Sequence, residues 1–280
     1  MTAPLAASNA RVKEARKLSR RSVRTERRLF LADGPKAVEG ALAAGIVEEI
    51  FATEAAVEQY AKILDAVDVT LVEPRGIEGL SDSVTPAGLV AVCRFFDVES
   101  GLLRPRVGRS AVRSPASGIA EFALQHVVIC ADVRDPGNAG TVIRCADAAG
   151  ADAVILAGDA VDLYNPKTIR ASVGSAFNLP IVIERSVAGA IEWAKASGLR
   201  VLAADGGGDV DLFDADAMLA EPTAWLFGNE AWGLPTELRA AADRVVSIPI
   251  FGQAESLNLS TAAAVCLYAT ARSQHTRKGL

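Results

Sequence analysis

From residue 119 onward, short apolar runs alternate with segments of helical periodicity. The runs are QHVVICA (125–131), DAVILA (152–157), LPIVIE (179–184), LRVLAAD (199–205), TAWLFG (223–228) and RVVSIPI (244–250). Continuous apolar stretches of this length, bounded by turn residues, read as strands buried on both faces. The stretches between them read as helices, the last from near Ser256 to about Ser273. Strand and helix in strict alternation predict a mostly parallel sheet covered by helices on both sides.

The front of the chain has a different rhythm. RLFLADGPKAVEGALAAGIVEEIFAT reads strand, helix, strand, with Pro35 in the first helical turn and Gly45 as the stop signal. EAAVEQYAKILDAV reads as one amphipathic helix, DVTLVEP as a strand, and LVAVCRF as a further strand after the turn-rich SDSVTPAG. Residues 25–96 thus form a small α/β module. Ahead of it, Lys13, Lys17, Arg20, Arg24 and Arg27 recur at helical spacing and predict a basic helix over 1–24 with one cationic face. Residues 97–118 are rich in Gly, Pro, Ser and Arg with weak periodicity, which marks a linker. The second domain then runs over 119–280.

Charge changes this picture. The chain of 280 residues has a net charge of −5, which taken whole argues against a nucleic-acid partner. The distribution argues the reverse. Residues 1–30 hold nine basic residues against Glu14 and Glu26, and the linker stretch GLLRPRVGRSAVRSPASG adds four arginines and no acid. Basic patches on an acidic body suggest a polyanion such as RNA or DNA. The other reading is a solvated helix face followed by a flexible linker.

Composition narrows the class further. Half the residues are hydrophobic and 5% aromatic, which suits helices packed on a sheet. No secretory leader and no apolar run long enough to span a membrane is found. Cys93, Cys130, Cys145 and Cys266 are scattered in apolar contexts without a CxxC pair. They read as reduced core residues of a cytoplasmic protein, neither disulfides nor metal ligands.

Three loops at predicted strand ends hold the remaining polar chemistry: VRDPGNAGTVIR (133–144), LFGNEAWGLP (226–235) and IPIFGQAESLNLSTAAAV (248–265). GxGxxG, GxxxxGK[ST] and GxSxG are all absent, so dinucleotide, Walker and nucleophile-elbow readings fail. The two histidines, His126 at a strand start and His275 in the tail, build neither a triad nor a metal site. DGGGD (205–209) reads as a tight turn. Asn138 is either a helix cap or a ligand group. Arg144 stands among Val142, Ile143, Cys145 and Ala146, so it is expected to pair with an anion. Glu230 is either an anchor for a cation or a plain loop acid.

In this order, NAGTVIR, GNE and SLNLS resemble the three motifs of the SpoU (TrmH-like) branch of the SPOUT RNA methyltransferases. The front module is similar to that family's N-terminal substrate-binding domain. The resemblance implies an α/β fold: a C-terminal SPOUT domain with a mostly parallel sheet and a deep trefoil knot, preceded by a small ribosomal-protein-like RNA-binding domain. It implies a homodimer whose site is completed across the interface. It also implies S-adenosylmethionine as cofactor and a ribose 2′-hydroxyl of RNA as methyl acceptor.

Carried over position by position, Arg144, Asn138, Glu230, Asn258 and Ser256 are the catalytic set. Leu226, Gly228, Asn229, Ile248 and Leu257 hold the cofactor. Arg144 is the central residue. A guanidinium stays protonated in proteins, so it suits phosphate binding and alkoxide stabilisation better than proton removal. Arg20, Arg24, Arg28, Lys167 and Arg170 are assigned to RNA contact. Ribosomal RNA of the 23S type is the expected substrate, because a separate front module suits a folded RNA. Transfer RNA, a non-catalytic RNA-binding factor and a nucleotide-dependent oxidoreductase are the alternatives, and a role in antibiotic resistance is compatible.

Overall fold

The structure is a computed structural model that describes residues 3–65, 67–103, 112–113, 120–121 and 124–276. Its contacts divide the chain into two units, Met1–Phe96 with Asp162–Asn178, and Asp97–Val161 with Leu179–Leu280.

The first unit is built on strands β1 (Leu29–Asp33), β2 (Val47–Ala52), β3 (Thr70–Leu71) and β4 (Leu89–Arg94), in the order β1-β4-β2-β3. β4 runs antiparallel to both β1 and β2, and β3 adds a short parallel edge. Leu31, Phe51 and Val90 from this sheet meet Val12, Ala15 and Leu18 from the basic N-terminal segment in one core. That segment is not one helix. It comprises Ala10–Arg16, a 3-10 turn at Lys17–Ser19, and Arg21–Arg27, with Arg20 extended between them (φ −90°, ψ 127°). The break disrupts the periodicity that would align the basic residues, and Arg24 turns inward. The stretch expected as one helix over 54–67 also splits, into Glu54–Gln59 and Ala61–Leu64, at Tyr60.

Asp162–Asn178 joins this unit although its place in the sequence lies within the strand-helix alternation of the second domain. Aromatic contacts account for it. Tyr164 stacks on Phe95 with centroids 3.6 Å apart, and its hydroxyl oxygen accepts a bond from the Phe96 amide at 2.8 Å. Phe177 lies against Phe30 and Phe96.

The second unit opens with a short antiparallel pair, β5 (Val112–Arg113) and β6 (Ala120–Glu121). Its main sheet has seven strands: β7 (His126–Ala131), β8 (Ala153–Ala157), β9 (Ile181–Glu184), β10 (Arg200–Ala204), β11 (Val210–Asp211), β12 (Thr223–Phe227) and β13 (Arg244–Ser247). The order is β11-β13-β10-β12-β7-β8-β9, with every pairing parallel. The six expected strands are present. β11 is additional; two residues long, it is too short for a periodicity signal. β13 ends at Ser247, earlier than the apolar run RVVSIPI suggests, so Ile248 leaves the sheet.

β12 lies in the middle of the sheet with all five residues buried. A helix at Leu259–Thr276 packs on it and on the helix Pro136–Ala148. Trp225 of β12 is fully buried, and its indole N–H donates to Thr270 Oγ1 at 2.8 Å, which fixes the last helix against the central strand. Because the strands are parallel, the loops leaving β7, β12 and β13 gather at one edge of the sheet, where ligands of such folds bind. No described helix is long and apolar enough to cross a membrane.

Candidate active site

The first loop frees a side chain that could have been used as a cap. After β7, Asp132 takes a left-handed conformation (φ 53°) and Asp135 caps the helix Pro136–Ala148, accepting from the Asn138 amide at 2.7 Å. Pro136 occupies the first turn, where its missing N–H costs nothing. Since Asp135 does the capping, the Asn138 side chain points elsewhere. Its Nδ2 donates to Glu230 Oε1 at 3.3 Å, and its Oδ1 accepts from Asn258 Nδ2 at 3.2 Å. A carboxylate only accepts, so Glu230 fixes which way the Asn138 amide faces.

Glu230 also accepts from the backbone amides of Arg134 (3.2 Å) and Asp135 (3.1 Å). It therefore ties the second loop to the first, as does its buried neighbour Asn229. The Asn229 side chain donates to the Asp132 carbonyl at 2.7 Å and accepts from the Ala231 amide at 2.8 Å. Backbone bonds between Asn229 and Gly233 close this loop on itself. A Cβ on Gly228 would lie 2.5 Å from the Gly233 carbonyl carbon and 2.7 Å from the Leu234 nitrogen, so only glycine permits the turn. In the third loop, Asn258 heads the last helix and accepts from the amide (2.9 Å) and hydroxyl (2.7 Å) of Ser260. One polar chain, Glu230–Asn138–Asn258, thus joins the three loops. Ser260 belongs to it; the SLNLS motif contains it, but nothing in the pattern ranks it above Ser256.

Beside this chain lies a cavity of about 330 Å³. Gly228, Asn229, Ile248 and Leu257 line it, as do Glu230 and Ser256. Leu226 does not: it is fully buried in the core between sheet and helices, because side chains on a central strand point into the layers. Asp205 and Gly206, expected only as part of a tight turn, also line the cavity, as does Glu255, to which the sequence assigned no role. The DGGGD turn that contains two of them is held by Asp205, which accepts from the Gly207 amide at 2.9 Å. A roomier cavity of about 570 Å³ in the first unit is lined by none of the expected site residues.

Arg144 does not have the apolar surround expected for it. It is exposed and forms no hydrogen bond or ion pair among the described residues. Its apolar neighbours Val142, Ile143 and Ala146 are buried. Successive helical residues point about 100° apart, so an apolar flank in sequence is not an apolar environment in space. The adjacent Cys145 thiol is raised by burial and lowered by the Arg144 charge, with burial prevailing. His126 is buried, its amide donating to Asp152. No group of three potential metal ligands occurs among the described residues.

The residues assigned to RNA all fall in the first unit. Arg20 and Lys167 are exposed. Arg28, also exposed, has its guanidinium 4.5 Å from the Phe95 ring centre. Arg170 is bound to Asp82 and lies 3.3 Å from Asp33. Arg24 is buried and ion-paired with Asp162, so it is not available to an RNA backbone. Arg104, Arg106 and Arg109 of the linker lie outside the described residues, as does the side chain of Arg113.

Residues 125–268 match the SpoU rRNA methylase family model, which covers all three loops. The chain belongs to this family. Residues 9–91 match a second model, that of the MRM3-like substrate-binding domain. Among relatives, a 23S rRNA (guanosine(2553)-2′-O)-methyltransferase, RlmP, of Bacillus subtilis is 31% identical, over 94% of this chain and 96% of that protein. Among solved structures, the AdoMet-bound rRNA methyltransferase from Sinorhizobium meliloti is 32% identical, with a TM-score of 0.77 over 95% of both chains. The SpoU methyltransferase AviRb from Streptomyces viridochromogenes, in complex with AdoMet, is 31% identical with a TM-score of 0.76, over 96% of this chain and all of that one.

Proposed function

We propose that the chain transfers a methyl group from S-adenosylmethionine to a ribose 2′-hydroxyl of 23S-type ribosomal RNA. The observation that carries the reading is the Glu230–Asn138–Asn258 chain beside the cavity lined by Gly228, Ile248, Ser256 and Leu257. The cavity fits the cofactor in size and chemistry. Its volume falls within the range of small-molecule sites, its walls include Val246, Ile248 and Leu259 for an adenine face, and Asp205, Glu230 and Glu255 supply negative charge for a sulfonium and an ammonium. Bound there, S-adenosylmethionine supplies a methyl on a cationic sulfur.

The chain's own residues then serve the incoming ribose. Asn138, held between a carboxylate and a second amide, offers a fixed hydrogen-bonding group at the cavity mouth, and positioning of this kind supplies much of a transfer enzyme's rate. Ser256 adds a hydroxyl from the cavity wall. Arg144 steadies the RNA phosphate and the charge left on oxygen. It does so from a second copy: the chain acts as a homodimer with the site completed across the interface. The exposed Arg144, unpaired among the described residues, supports this reading, as do the exposed Phe251, Ile250 and Tyr268 of the same unit. The segment that follows β13 threads the family's trefoil knot, the first unit holds the RNA through Arg20, Arg28 and Lys167, and the enzyme works in the cytoplasm beside its ribosomal substrate.

The test is incubation with methyl-labelled S-adenosylmethionine and an unmodified 23S ribosomal RNA transcript, followed by mapping of the methylated ribose. Arg144→Ala should abolish transfer while leaving cofactor affinity intact. Cofactor and RNA binding without transfer to any RNA would replace the enzyme by a non-catalytic RNA-binding factor.

A further inference from the structure

The second loop carries a side chain that the chemistry above does not use. Trp232 sits between Ala231 and Gly233, which line the cavity, yet it does not line the cavity itself and is 55% exposed. The loop beneath it is pinned by the Asn229–Gly233 backbone bonds, by the Asn229 side chain on Asp132, and by Glu230 on the amides of Arg134 and Asp135. An indole more than half exposed on a fixed loop contributes less burial to the fold than Trp225, which is fully buried. The Arg134 guanidinium lies 5.2 Å from the Trp232 ring centre, and Asp159 holds that guanidinium at 2.6 Å. The result is a flat aromatic surface, backed by a clamped cation and attached two residues from Glu230.

We infer that Trp232 is the stacking platform for a base of the RNA substrate at the methylated nucleotide, and so a substrate-binding residue of the site; this rests on the methyl-transfer reading above. RNA is read mainly where bases are splayed out of their stack and laid on aromatic rings or guanidinium planes. A ribose brought to the cavity mouth carries its base with it, and a π-face beside the mouth receives that base. Arg134 strengthens the platform from behind and adds positive charge near the phosphates. Stacking tolerates any base, so the platform fixes the nucleotide's pose rather than its identity.

The test compares wild type with Trp232→Ala, Trp232→Leu and Trp232→Phe. It measures methyl transfer to a 23S ribosomal RNA transcript, affinity for the same transcript, affinity for S-adenosylmethionine, and mass in solution. Trp232→Ala should lower kcat/KM and RNA affinity by about 10- to 100-fold, the span expected for one stacked base. Cofactor affinity and mass should stay unchanged. Phenylalanine should restore most of the loss and leucine should not. On a short hairpin carrying the mapped ribose, removal of its base should cost wild type a similar factor and cost Trp232→Ala nothing further. Undiminished RNA affinity in Trp232→Ala, losses that multiply between variant and abasic RNA, or a changed mass would each overturn the inference, the last assigning Trp232 to contact with a second copy. Should wild type bind the transcript without methylating it, the methyl-transfer reading falls, and the affinity of Trp232→Ala for RNA still decides the role of the indole.

Discussion

Consider Arg24→Ala, which separates two roles that the basic N-terminal pattern leaves open. In the structure Arg24 is 3% exposed. Its Nε and Nη2 donate to Asp162 Oδ2 at 3.1 and 2.5 Å, and its Nη1 donates to the carbonyls of Leu18 and Ser19 at 2.9 and 2.8 Å. Truncation leaves two carbonyls without their charged donor, and it leaves Asp162, among the described residues, with the Tyr164 amide alone on its other oxygen. Removing one member of a buried pair costs roughly 3–5 kcal/mol. The Asp162 side chain is 13% exposed, so water relieves part of the penalty, and the loss should lie near the lower end, about 3 kcal/mol. That is a large share of the roughly 5–15 kcal/mol that holds a domain. A surface arginine that only touched RNA would cost within about 0.5 kcal/mol. All three tryptophans lie in the second unit, so fluorescence cannot follow the first; hydrogen exchange of peptides from β1 and β4 under increasing urea can. Arg24→Met with Asp162→Asn, which removes both charges, should cost less than Arg24→Ala. A first unit as stable in Arg24→Ala as in wild type, with weakened RNA binding, would refute the structural assignment.

Three further outcomes follow from individual contacts. Gly228→Ala should sharply weaken S-adenosylmethionine binding in calorimetry, because its Cβ meets the Gly233 backbone at 2.5 Å and the loop must open. In the native protein at about pH 8, iodoacetamide should label Cys145 first. Burial pushes the Cys130 thiol up to about 12 and raises Cys93 and Cys266 as well, whereas Cys145 is only half-buried and beside Arg144; equal labelling of Cys130 and Cys145 by mass spectrometry would contradict this. Burial also holds the Asp33 carboxyl above the ordinary aspartate range, against the bond from Ser81 and the charge of Arg170. The folded state then binds this proton more tightly than the unfolded one, so stability falls as pH rises from the ordinary value through the raised one. Asp33→Asn should flatten the urea midpoint against pH across that window, and an unchanged slope would remove Asp33 as the cause.

Much of the second unit was legible because its strands are continuous apolar runs of the kind a doubly covered parallel sheet demands. The motif loops were legible because polar residues at strand ends have little else to do. Other features were not legible, each for a physical reason. The helix break at Arg20 depends on packing Val12, Ala15 and Leu18 against the sheet, which no local periodicity reports. The docking of Asp162–Asn178 on the first unit depends on five aromatic rings drawn from distant parts of the chain. Leu226 follows a motif's position in sequence but a strand's alternation in space. Asp135 takes the capping role that Asn138 could have filled, and that exchange is what leaves Asn138 free to join Glu230 and Asn258.

The polar chain across the three loops contains two amides and a carboxylate, with no histidine. Amides take no proton at neutral pH, and the Glu230 carboxylate already accepts from two backbone amides and from Asn138. These groups orient; stabilising negative charge on oxygen requires a cation that they do not supply. Arg144 meets that need but does not line the cavity of its own chain. If the second copy provides it, two inactive variants must rescue each other. Arg144→Ala keeps an intact cavity and lacks the guanidinium; Gly228→Ala keeps the guanidinium and lacks the cavity. A mixed dimer then has one complete site, made of the first variant's cavity and the second variant's arginine. Statistical reassociation of equal amounts places half the dimers in that state, each with one working site of two, so methyl transfer should recover to about a quarter of the wild-type rate per dimer. An arginine acting within its own protomer gives no recovery at any mixing ratio, because each protomer of the mixed dimer then lacks one essential part.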